Sequence, residues 1–253
     1  MTSSHYPHVS ATRRGEFLRN VFGAPMRAVN VGRIYLLIAI GVFHAGPYLK
    51  ALVTSAPFLG LILSPLMVYL VARFGVRIPR AKAVALLLAA AAVFVTWFTS
   101  RPAIFFVFAI LALAAFTTAT PLITALWHQN VPDETRGRQF SFINWLGLIA
   151  TIIAGAAFSW WLDDISKYPA VLLVAIAGLL LAAVSIAVVP GRILRKPKRF
   201  PYTTLSLLWK DKLFGYICLS WSLVGLGNLM MIPLRVEYVA SGDYGMAYSP
   251  ARV

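Results

Sequence analysis

The stretch "IYLLIAIGVFHAGPYLKALVTSAPFLGLILSPLMVYLVA", residues 34 to 72, holds a single charged side chain, Lys50. A helix covering all 39 of its positions would be roughly 58 Å long at 1.5 Å per residue, about twice the ~30 Å hydrocarbon core of a bilayer. The stretch therefore reads as two crossings rather than one. Lys50, Thr54, Ser55 and Pro57 mark the expected turn, giving a first segment at 34–49 and a second at about 57–72.

Outward from there the same pattern repeats. Apolar segments at 83–98, 103–127, 140–162, 170–189 and 213–234 bring the total to seven, each long enough to approach the thickness of a membrane. Only 12% of the 253 residues are charged and the mean hydropathy is +0.78, so a water-soluble domain built from this chain would lack the polar surface to cover itself. The fold class expected is all-α: a polytopic transmembrane bundle of about seven helices.

The net charge of +15 raises nucleic acid as a partner, and the placement of the cations answers it. Eighteen Lys and Arg fall in the N-terminal region and after segments 2, 4 and 6, whereas the opposite links hold Lys50, Arg101 and Lys167. That asymmetry is the positive-inside signature of a membrane protein with its N-terminus in the cytoplasm. Nucleic-acid binding is set aside, and the expected location is a bacterial cytoplasmic (inner) membrane. The sole cysteine, Cys218, sits in an apolar stretch and excludes an internal disulfide or a Cys-based metal site. No phosphate loop, metal-ligand cluster or nucleophilic triad is visible, so no enzyme activity, cofactor or metal is expected.

The organisation read from these features is a basic cytoplasmic tail at 1–33, a six-helix half at 34–190, a basic cytoplasmic linker at 191–212, a seventh helix at 213–234 and an extracytoplasmic tail at 235–253. Within the first region Phe17, Leu18, Val21 and Phe22 have helical spacing, which suits either a short helix on an anionic membrane surface or a disordered tail.

Two polar turns carry further information. "HQNVPDETRGRQFSF", residues 128 to 142, sets Asp133, Glu134, Arg136, Gly137 and Arg138 after Pro132, with Asn144 and Gly147 in the helix that follows. "RFGVR" supplies Arg73, Gly75 and Arg77 in the turn after segment 2. Together these resemble the major facilitator superfamily of secondary transporters, in which the turn between helices 4 and 5 reads Pro, a few polar residues, Arg-Gly-Arg or Arg-Gly-Lys. The family's pattern at the turn between helices 2 and 3 has a Gly where this chain has Val68, and an Asp where it has Ala72. Ala72 cannot form the latch that the family's Asp forms. The helix 5 signature of proton-coupled drug antiporters is absent, since Ala156, Ser159 and Trp160 stand where it would be.

The resemblance covers about residues 33 to 253 and implies two six-helix halves in a full-length member, so the chain is expected to be the first half plus one helix, truncated. It implies alternating access, a small-molecule substrate, and H+ or Na+ as coupling ion, with Arg73, Gly75, Arg77, Asp133, Glu134, Arg136, Gly137 and Arg138 as gating-loop residues. It also implies a cavity lined by helices 1, 4 and 7. The residues available to line it are His44, the helical stripe Thr117, Thr120, Thr124 and His128, and Trp221 and Asn228. His44, expected mid-helix, is either a structural histidine or a substrate or proton contact. The threonines either face a cavity or bond to their own helix carbonyls. Gly147, Thr151 and Gly155 read as a packing stripe. Two other classes fit seven helices, a receptor or photosensor and a membrane scaffold. A receptor usually starts outside, against the charge pattern, and segment 7 has no lysine to hold retinal.

Overall fold

The computed structural model describes residues 8–31, 34–196 and 200–240. Eleven α-helices lie within them: α1 Val9–Phe22, α2 Ala24–Val31, α3 Ile34–Gly41, α4 Pro47–Arg73, α5 Ile78–Phe98, α6 Pro102–Thr118, α7 Thr120–Asn130, α8 Asp133–Trp161, α9 Tyr168–Ala187, α10 Leu207–Lys210 and α11 Lys212–Ala240. Among the described residues there is no β-strand, only an isolated bridge between Arg77 and Ile193. Among the described residues, five helical stretches are long and apolar enough to cross a membrane: Pro47–Arg73, Ile78–Phe98, Pro102–Asn130, Asp133–Trp161 and Ile165–Ala187. The all-α membrane bundle is thus observed.

Proline sets several helix starts. α4, α5, α6, α7 and α9 each carry one at the first or second position, where the missing N–H costs nothing and the fixed φ suits a helix. This explains why the first turn falls earlier than the sequence reading placed it. Gly46 is extended and Pro47 begins α4, so the break is at 42–46, not at 50–57, and α4 runs on through Pro57 and Pro65. A proline inside a helix strips the carbonyl four residues back of its partner. For Pro65 that carbonyl belongs to Leu61, and the Ser64 hydroxyl donates to it at 2.7 Å.

The fourth segment is split by the same chemistry. Pro121 frees the Thr117 carbonyl, the Thr120 hydroxyl donates to it at 2.6 Å, and the chain turns at Ala119 between α6 and α7. At the α8 to α9 turn, the Asp164 carboxylate accepts from the Ser166 hydroxyl at 2.6 Å and the Ser166 N–H at 3.1 Å, which hold its pKa below the usual value.

The core forms where α5 packs on α6 and α9, and α4 on α6. Ala81, Ala85, Ala89 and Ala92 on α5, with Ala175, Gly178 and Ala182 on α9, are all buried and let the helix backbones approach closely. Large apolar side chains such as Ile62, Leu88, Trp145, Ile152, Ile153 and Val184 are exposed on the outer faces and form the lipid contact surface.

The N-terminal region departs most from expectation. Neither a surface helix nor a disordered tail, it is helical from Val9 and packs on α8 and α9. A Cβ on Gly41 would meet Ile165 at 3.4 Å at one end of α9, and one on Gly15 would strike Val189 at the other, so α1 to α3 run antiparallel along the whole of α9. The boundary expected at Ile34 therefore does not divide a tail from the bundle. The seventh segment, α11, reaches Ala240 and rests on α3 and α4. The tail expected at 235–253 lies, from residue 241 on, outside the described residues.

Candidate functional site

Inside the bundle α1 and α2 lay down a polar seam. Thr12, Glu16, Asn20, Arg27 and Asn30 recur at steps of three, four or seven residues, which keeps them on one helix face. Thr12, Glu16 and Asn20 are at most 1% exposed. Glu16 and Arg19 form a forked ion pair, with Arg19 Nε to Oε1 at 3.0 Å and Nη2 to Oε2 at 3.1 Å. Trp127 Nε1 on α7 points at the same carboxylate from 3.5 Å.

Asn20 continues the seam. Its amide nitrogen donates to the Glu16 carbonyl at 3.0 Å, while Arg27 Nη1 donates to its side-chain oxygen at 2.8 Å and Nη2 to its backbone carbonyl. Gly147 on α8 makes the room, since a Cβ there would lie 3.0 Å from Asn20 and 3.1 Å from the Arg27 guanidinium. Nearer the end of the bundle, Asn130 on α7 donates to Thr12 at 2.8 Å and to the Pro190 carbonyl at 2.7 Å. Lys82 on α5 is also buried, with Arg19, Glu16 and Arg27 as its charged neighbours. Glu16 thus faces three cations, Arg19, Arg27 and Lys82. Among the acidic residues whose side chains are described it alone is buried.

Sequence reasoning missed this seam. It read residues 1–33 as a basic cytoplasmic tail, because five arginines before Ile34 made the region look aqueous. The spacing Thr12, Glu16, Asn20, Arg27 was the available signal.

The charged turn is shorter than the 128–139 that the sequence reading left between its apolar segments. α8 begins at Asp133, so the turn shrinks to Val131 and Pro132, and Asp133 and Glu134 occupy the first helical turn, where the helix dipole favours negative charge. Arg136 holds the corner: it pairs with Asp133, donates to the Val131 carbonyl at 3.0 Å and sits 2.6 Å from His128 Nδ1 on α7. Gly137 has open space around it, and Glu134 and Arg138 are exposed. Arg136→Ala is expected to lower stability by roughly 1–2 kcal/mol in a detergent melt, with Arg136→Lys recovering only part, because an ammonium cannot fork to three partners in one plane.

At the other turn Gly75 has φ +64, a left-handed conformation that a side chain would strain. Arg73 donates to the Tyr69 hydroxyl at 3.2 Å, and Arg77 bridges to Ile193. The segment after α9 is also tied to α7, with the Arg192 N–H donating to Gln129 at 3.0 Å.

The cavity candidates do not converge. His44 is not mid-helix but in the exposed loop between α3 and α4, with φ 45. Thr117 donates to the Pro57 carbonyl of α4 at 2.9 Å, where Gly60 lets α4 and α6 nearly touch. Thr120, Thr124 and His128 are exposed along α7, and Trp221 and Asn228 are exposed on α11. Of the small-residue stripe, Gly147 and Thr151 are buried, whereas a Cβ on Gly155 would meet nothing.

A family model, the Major Facilitator Superfamily, matches residues 26–251. The chain belongs to this superfamily. It is accordingly a membrane transporter of the major facilitator type, a class whose members are not enzymes. No curated protein matches the sequence. The superfamily match takes in Arg27, Lys82, Trp127 and Asn130 of the seam and both polar turns, while Glu16 and Asn20 precede it.

Proposed function

We propose that this major facilitator chain takes part in secondary active transport of a small solute by alternating access, along a path bordered by Thr120, Thr124 and His128 of α7. The observation that carries the reading is the orientation of α7. Its apolar residues Leu122, Ile123, Leu126 and Trp127 are buried, while Thr120, Thr124 and His128 on its other side are exposed. A helix facing lipid has the reverse arrangement, so this edge suits water, solute or protein. The charged seam beside it supports the same reading, because ionisable groups inside a membrane bundle usually serve ion or substrate movement. In this scheme the N-terminal side faces the cytoplasm, H+ or Na+ drives the cycle, and the turns holding Arg73, Gly75, Arg77 and Arg136 work as gates.

A labelling experiment tests the path. In a Cys218→Ser background, Thr124→Cys in sealed vesicles of either orientation is expected to react readily with a membrane-impermeant maleimide, and Ile152→Cys on the lipid face of α8 to react slowly. Equally slow reaction at both positions would place the α7 edge in lipid and remove the proposal.

A further inference from the structure

The end of the bundle where the cations gather carries a groove of about 600 Å3 between the last turns of α4, the end of α7 and the segment that follows α9. Its two ends differ chemically. Pro65 and Val68 form an apolar floor along α4, whereas Arg192 and Arg195 stand exposed at its mouth. Pro65 is eight residues from the end of α4 at Arg73, so the floor reaches roughly 12 Å along a spanning helix. Neither arginine side chain has an ion-pair partner among the described residues, and Arg73 adds a third cation beside Tyr69.

Aromatic rings flank the groove. Tyr69 packs edge-on against Phe200 at 5.5 Å, Phe200 contacts Tyr202, and the Tyr202 hydroxyl donates to the Ile62 carbonyl at 2.7 Å. A cationic mouth, an aromatic collar and an apolar floor leading along a membrane-spanning helix match a molecule with a negative headgroup and a hydrocarbon tail.

We propose that this groove is a binding site for one anionic phospholipid, its phosphate held between Arg192 and Arg195 and an acyl chain lying on Val68 and Pro65. The site is separate from the α7 path and does not depend on the transport reading. Its walls belong to the α4 end, the α7 end and the segment after α9, so a seated lipid bridges the three.

The test is native mass spectrometry of the delipidated protein titrated with phosphatidylglycerol or phosphatidylcholine. Phosphatidylglycerol is expected to remain bound at the stronger collision energy. Arg192→Gln with Arg195→Gln should weaken it roughly 30-fold, at about fivefold per cation near a membrane surface. Arg13→Gln with Arg14→Gln, which removes the same charge elsewhere, should leave it unchanged. Val68→Trp, which fills the floor and keeps the cations, should also abolish retention, and it guards against an effect of charge alone. Equal retention of the two lipids, or indifference to both groove variants, overturns the site. So does displacement of the lipid by millimolar inorganic phosphate, which would make the mouth an anion site without a tail pocket.

Discussion

Glu16→Gln is expected to destabilise the chain by about 3–5 kcal/mol, a loss read as a lower melting temperature in detergent. The carboxylate is 1% exposed, is forked to Arg19, and is the one buried acid among the described side chains, beside the half-buried Arg19 and Arg27 and the buried Lys82. Removing one partner of a buried pair leaves the other charge out of water and uncompensated, which costs far more than the intact pair contributes. The double variant Glu16→Gln with Arg19→Met should recover much of the loss, because it removes the orphaned cation as well as the acid. Wild-type melting of the single variant would mean that this face of α1 is wet.

The second large effect is expected at Gly60. A Cβ there would run into the Thr117 hydroxyl and the backbone carbonyl of Ala114, and a carbonyl in the middle of α6 cannot rotate aside. Gly60→Leu must separate α4 from α6 and break the Thr117 bond to the Pro57 carbonyl, a cost of about 3 kcal/mol or more at the upper end of overpacking effects. Gly155→Leu serves as the control, since nothing lies within 4 Å of its Cβ position. Loss of monodisperse protein is expected for the first variant and near-normal yield for the second. Equal behaviour of the two would contradict the close crossing of α4 and α6.

These two sites show what the sequence made legible. The apolar lengths and the placement of cations gave the bundle, because lipid imposes one strong rule on composition along the chain, and the residues of the two polar turns carried the resemblance to the family. Gly60 was silent, since a glycine shows its contact only once the facing helix is known. Glu16 was hidden by its neighbours, for five arginines in 33 residues speak of water whatever the helix beneath them does. Thr117 and Thr120 were legible as a stripe but not in their division of labour, with Thr117 bonded across to α4 and Thr120 repairing the bond that Pro121 removed. His44 was placed by the length of an apolar run, and the Gly46 and Pro47 pair that ends that run outweighed it.

The seam also bears on how the chain is made. Glu16 meets Arg19 three residues on and Asn20 meets Arg27 seven on, so these partners leave the ribosome almost together. Trp127 arrives 111 residues after Glu16, on the order of ten seconds of translation later. The first helices can thus be handed to the translocon with their acid already neutralised, and the later ones close over a pair that formed without them.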